Sequence, residues 1–137
     1  MRYAGRVVVA RDRETVFDYL ADPRNRPEWQ SSLRRVSSVV GEPGVGQTWV
    51  DETRLGIEPR MRTTAYDRPA RWSESGTWRF VRAELTLELA EVAGGCAVDY
   101  AFRIHVLGPI GAAASWVSRP AVAADLRRAA RILSSRT

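Results

Sequence analysis

The chain has 137 residues, 45% of them hydrophobic and 27% charged, which is the size and composition of one globular domain that needs no metal or disulfide to stand alone. It carries a formal charge of +5, one cysteine (Cys96), one histidine (His105) and no lysine, all 21 basic residues being arginine. An internal disulfide, a Cys/His zinc site, a lysine Schiff base and a P-loop lysine are therefore excluded within this chain.

Residues Tyr3 to Ala10 read as a first strand centred on Val7, Val8 and Val9. A short helix opens at Asp12 or Arg13, with Val16, Phe17 and Leu20 as its apolar stripe. Asp22-Pro23 ends it, because the residue before proline disfavours the helical region. A second helical turn, Arg24 to Gln30, is anchored by Trp29. Strands follow at Leu33 to Val40, Thr48 to Leu55, Pro59 to Tyr66 and Arg71 to Trp78, with a glycine-rich turn at 41–46 after the first of them.

Val81 to Val92 alternates cleanly. Ala83, Leu85, Leu87 and Leu89 take one face; Arg82, Glu84, Thr86 and Glu88 take the other. After a hairpin at Ala93-Gly94-Gly95, Cys96 to Leu107 places Val98, Tyr100, Phe102 and Ile104 inward and Asp99, Arg103 and His105 outward. Gly108-Pro109 breaks that strand, and a helix is expected from about Ile110 to Ser134. Its apolar face holds Ala112, Ser115, Arg119, Val122, Leu126, Ala129, Ala130 and Leu133. Pro120 is expected to kink it.

The order β-αα-β6-α predicts an α+β fold: one curved antiparallel sheet gripping a long C-terminal helix, as a single domain over residues 1–137. One alanine-rich helix is too thin to fill the concavity of so wide a twisted sheet, so an apolar cavity is expected. The competing expectation is that Trp49, Trp72, Trp78 and Trp116 fill the space.

Strand alternation then nominates the walls. If Trp49 faces inward, so do Asp51, Thr53 and Leu55. If Met61 does, so do Thr63 and Ala65; if Trp72 does, so does Glu74. Leu85, Leu87, Tyr100, Phe102, Arg119, Val122 and Leu126 complete the expected ligand-binding set. Asp51, Glu74 and Arg119, with Tyr100, are the candidates for acid–base chemistry, since a buried unpaired carboxylate has a raised pKa and a paired one is ionised and structural. No metal site and no cofactor are expected. Gly44-Val45-Gly46 lacks the third glycine and the βαβ context of a dinucleotide site.

The chain resembles the polyketide cyclase/dehydrase and lipid-transport family of the helix-grip superfamily (SRPBCC), which includes the START lipid-transfer domains and the birch-pollen-allergen type. The resemblance rests on Glu14-Thr15-Val16-Phe17-Asp18-Tyr19-Leu20-Ala21-Asp22-Pro23 and Arg26-Pro27-Glu28-Trp29. It continues through Gly44-Val45-Gly46-Gln47-Thr48-Trp49, Tyr66-Asp67-Arg68-Pro69, Gly94-Gly95-Cys96-Ala97-Val98 and Gly108-Pro109-Ile110-Gly111. It implies the helix-grip fold and a range of roles, from cyclising polyketide chains to carrying lipids, quinones or hormones.

Three functions are consistent with this reading. The first is binding or transport of a hydrophobic lipid, polyketide or isoprenoid. The second is a polyketide aromatase/cyclase or dehydratase, and the third a protein–protein module with a collapsed pocket. The scattered arginines give no nucleic-acid surface; only Arg127, Arg128 and Arg131 cluster, and they leave weak contact with an anionic membrane surface open. No apolar run has signal-peptide or membrane-spanning length, and a cytoplasmic location is expected.

Overall fold

A computed structural model describes residues 2–106 and 119–136. Strand β1, Arg2–Val9, is followed by helix α1, Arg13–Ala21; a single 3-10 turn, Pro23–Asn25; and helix α2, Arg26–Trp29. Strands β2 to β7 then run Leu33–Val40, Thr48–Thr53, Arg60–Asp67, Arg71–Trp78, Val81–Val92 and Gly95–Val106, and helix α3 spans Arg119–Ser135. The strands form one seven-stranded antiparallel sheet in the order β1-β7-β6-β5-β4-β3-β2. Consecutive strands neighbour one another from β2 to β7. The helical segments between β1 and β2 carry the chain from one edge of the sheet to the other.

Local chemistry fixes the helices. Asp12 caps α1, accepting from Thr15 N at 3.2 Å and Thr15 Oγ1 at 2.7 Å. Asp22 caps the following turn by accepting from Arg24 N at 3.0 Å. The far end of α3 is tied back to the start of the chain. Arg11 Nη1 donates to the carbonyls of Leu133 at 3.1 Å and Arg136 at 2.6 Å, a cation on the negative end of the helix. Thus α3 is held along β1 and against α2, on the concave side of the sheet.

The alternation read from β6 and β7 is the alternation found: Leu85, Leu87, Leu89, Val98, Phe102 and Ile104 are buried, while His105 is exposed. On α3, Leu126, Ala129, Ala130 and Leu133 are buried. The expected helical residues 110–118 and the side chains of Arg119 and Pro120 lie outside the described residues, as does Trp116.

Two inward expectations fail. Strand β3 ends at Thr53, where Gly56 N donates to the Thr53 carbonyl and closes a turn; Leu55 sits on that turn and is 78% exposed. In β4 the register shifts between Thr63 and Ala65, so that Tyr66 rather than Ala65 opposes the inward Trp72. An extra residue in one strand inverts the parity of everything beyond it. Tyr66 accordingly meets Phe17 of α1 edge-on, with ring centroids 5.1 Å apart.

Candidate functional site: a buried charge cluster on a small cavity

The sheet and helices enclose a cavity of about 90 Å³. Its apolar wall comes from Leu33, Met61, Leu85 and Phe102 on the sheet and from Val122 and Leu126 on α3. Ligand pockets commonly measure roughly 300–1,000 Å³, so this one is small. The reason is visible in the core: Trp29, Trp49 and Trp72 are among the largest fully buried side chains and take up much of the concavity. The expected open pocket is thus reduced by tryptophan filling, though not closed.

One part of the wall is charged. Arg26, at the start of α2, is 2% exposed and lies between two buried carboxylates. Its Nε and Nη2 donate to the two oxygens of Asp51 at 3.2 and 3.0 Å, and Nη2 also donates to Glu74 Oε1 at 3.2 Å. Arg26 Nη1 and Glu74 Oε2 stand 2.7 Å apart, so the guanidinium faces the Glu74 carboxylate at two points. Trp49 Nε1 donates to Asp51 Oδ1 at 3.0 Å. The guanidinium carbon lies 5.8 Å from the ring of Trp29 and 5.3 Å from that of Trp49, within cation–π range.

Strand alternation explains the carboxylates: Asp51 is two residues from Trp49 on β3, and Glu74 two from Trp72 on β5, so each shares the inward face of its tryptophan. Their cation was not foreseen. The cation found between them is Arg26; the side chain of Arg119, the cation suggested from sequence, lies outside the described residues. Nothing in a four-residue helix reveals which side is buried; the usable signal was its place three residues before the anchoring Trp29, one helical turn away.

Burial pushes the Glu74 carboxyl up to about 7, with Arg26 pulling it down and Asp51 adding to the rise. Burial opposes the charge on Arg26, but Asp51 and Glu74 outweigh it and hold the guanidinium protonated above its ordinary range. Asp125 of α3 joins the same wall; burial raises its carboxyl, against hydrogen bonds from Ser31 N at 3.2 Å and Ser31 Oγ at 3.0 Å. Of the two carboxylates that Arg26 holds, Glu74 is the one that burial moves toward neutrality.

Of the residues nominated from sequence, Asp51, Thr53, Met61, Glu74, Leu85, Phe102, Val122 and Leu126 are brought together on the cavity wall. Trp49, Thr63, Trp72 and Leu87 are buried in the core beside it. Tyr100 is elsewhere: its hydroxyl lies over Gly5 of β1, directly across the strand pair, at a spot where a Cβ would collide with it. Cys96 is fully buried, and burial raises its thiol. Among the described residues no group of His, Cys, Asp and Glu is placed to hold a metal ion, and no helix is long and apolar enough to cross a membrane.

Comparison with known proteins places this geometry in a family. The profile of the polyketide cyclase/dehydrase and lipid transport family matches residues 2–136. Uncharacterised proteins of Mycobacterium tuberculosis and Mycobacterium bovis are each 30% identical over 125 residues, covering 88% of this chain and 74% of theirs. The fold is shared with protein MLL2253 of Mesorhizobium loti (TM-score 0.80, 13% identity, 100% of this chain and 99% of that one). It is shared also with Ara h 8.0201 (TM-score 0.78, 13% identity, 99% of each chain). The chain belongs to the polyketide cyclase/dehydrase and lipid transport family and has its helix-grip fold.

Proposed function

We propose that the protein binds a small, largely apolar molecule in the cavity between the sheet and α3, with the polar end of that molecule at Arg26, Asp51 and Glu74. The observation that carries this reading is the position of a buried ion cluster on the wall of an otherwise apolar cavity. Burying three charged groups is costly, and an apolar replacement of the same volume serves stability as well or better. A fold that keeps them beside a cavity gains a recognition site. Family membership supports the same class of ligand.

Native mass spectrometry of the purified protein, followed by organic extraction, tests it. A stoichiometric apolar adduct released by solvent is the expected result. A bare mass that stays bare after incubation with mixed lipids and polyketides would sink it.

One observation favours a second reading, an acid–base enzyme acting on a carbonyl substrate. Glu74 is a buried carboxyl on the cavity wall, and burial pushes it up to about 7, toward the range in which a proton donor and acceptor works best. The same extraction distinguishes the two: an enzyme returns a substrate added to it in altered form, a carrier returns it unchanged.

A further inference from the structure

Independently of what the cavity holds, we propose that two hairpin tips at one end of the sheet dock the protein on an anionic lipid surface. The register brings the tips together. Val50 of β3 pairs with Arg60 of β4, Arg60 with Thr77 of β5, and Trp78 of β5 with Val81 of β6. The β3–β4 turn at 54–59 and the β5–β6 turn at Arg79 and Phe80 therefore project from the same end. Leu55 is the most exposed large apolar side chain among the described residues, and Phe80 is exposed on the neighbouring tip. Each follows an exposed arginine, Arg54 or Arg79. Glu58 is the one carboxylate within the two turns.

The β5–β6 tip is built against its own local preference. Trp78 and Val81 pair, so Arg79 and Phe80 form a two-residue turn, and Arg79 has φ 51°. Hairpins of this kind give a positive-φ position mostly to glycine or asparagine, because a larger side chain crowds the backbone there. Strain kept where an unstrained residue would serve points to a use for the side chain. The Arg79 guanidinium carbon lies 5.0 Å from the ring of half-buried Trp78, so charge and aromatic body sit together at the tip. That is the chemistry of the membrane–water interface, where aromatic rings settle at headgroup level and basic side chains meet anionic lipid. Shape selects lipid over protein. A stable protein interface covers about 800 Å² per partner in one matched patch. Two narrow tips instead offer separate side chains, which a fluid surface takes up without a matching contour. The cavity reaches the same end, since Thr53, Pro59, Gly76 and Ala83 of its wall stand close along the chain to the tips.

Co-sedimentation of the full chain with vesicles tests this, using phosphatidylcholine alone and an equal mixture of phosphatidylcholine and phosphatidylglycerol. Binding to the mixture is expected to be about tenfold or more tighter than to phosphatidylcholine alone, each arginine at an anionic surface being worth about fivefold. Leu55→Ser combined with Phe80→Ser should weaken binding to the mixture about tenfold or more, through the apolar surface withdrawn from lipid, and leave retention on heparin resin unchanged. Arg79→Gly should bind the mixture about fivefold more weakly yet melt no lower than the parent, because glycine relieves the turn. Val45, exposed on the turn at 41–46 at the opposite end, is the control, and Val45→Ser should bind as the parent does. Absence of binding to the mixture would overturn the docking site. So would equal binding to both kinds of vesicle, parental binding by the double serine variant, or an equal loss in Val45→Ser. If the double variant does not fold, Arg79→Gly decides: parental binding by it would overturn the proposal. Ligand binding in the cavity stands or falls separately from all of these results.

Discussion

Arg26 decides the energetics of its neighbourhood. Removing one member of a buried ion cluster leaves uncompensated charge in a largely desolvated site, at a cost of about 3–5 kcal/mol. Arg26→Met keeps most of the side-chain volume and strands Asp51 and Glu74 beside each other, so it should lower the unfolding free energy by that amount, read as a lower urea midpoint with an unchanged slope. Adding Glu74→Gln to that variant should restore a large part of the loss, because Asp51, hydrogen-bonded to Trp49, then no longer faces the charge of Glu74. If the single variant lies within about 1 kcal/mol of the parent, the cluster is not buried as described.

Glu74 makes stability depend on pH, and the sign is unusual for a carboxylate. Its folded value is raised, so between the ordinary range of an unfolded glutamate and about 7 the native state holds the proton more firmly than the unfolded chain. Stability therefore falls as pH rises through that window, by a few kcal/mol in all, and levels off above it. Carboxyls held low by their partners, such as Glu28 beside Tyr19 and Arg136 or Asp99 beside Arg6, act oppositely and only in more acid solution. Thermal melts at about pH 5.5 and about pH 8 should show the higher midpoint at the lower pH, and Glu74→Gln should flatten the difference.

At the scale of elements, close packing between strands sets which small residues can change. A Cβ on Gly95 would run into the carbonyl oxygen of Val9, backbone against backbone, at the edge where β7 meets β1. A Cβ on Gly76 would meet Met61 Sδ at 2.6 Å, the end of a flexible side chain that can swing aside. Gly95→Ala should thus cost about 2–4 kcal/mol and Gly76→Ala about 1 kcal/mol or less, read from denaturation curves. The same scale shows what sequence could tell. Alternation read β5, β6 and β7 correctly, because their pairing runs without a register shift. It misjudged Ala65 because the β4 irregularity arises from pairing with β5, which no local pattern announces. It missed Arg26 because arginine is seldom buried, and its two partners are 25 and 48 residues away along the chain.

Across the whole molecule, the family and fold were legible because the order of elements and the opening around Val16 to Trp29 are carried by contiguous residues. The cavity's size was not. It depends on how Trp29, Trp49 and Trp72, from three separate elements, divide the concavity with α3, and volume is not additive along a sequence. Charge is additive, and it allows a prediction of a different kind. The interior cluster is rich in carboxylates while the chain as a whole is +5, so the excess positive charge belongs to the exterior. There the arginines are spread over both edges and the convex face, and Arg127, Arg128 and Arg131 are exposed on α3. A diffuse field attracts polyanions without a specific seat and is screened within a Debye length of about 8–10 Å at moderate salt. The protein should bind heparin resin at low ionic strength and elute early in a salt gradient. Replacing Arg127, Arg128 and Arg131 with serine should shift elution modestly, in proportion to the three charges removed. Complete loss of retention in that variant would mean that these three form a true docking patch, and would favour a macromolecular partner for α3.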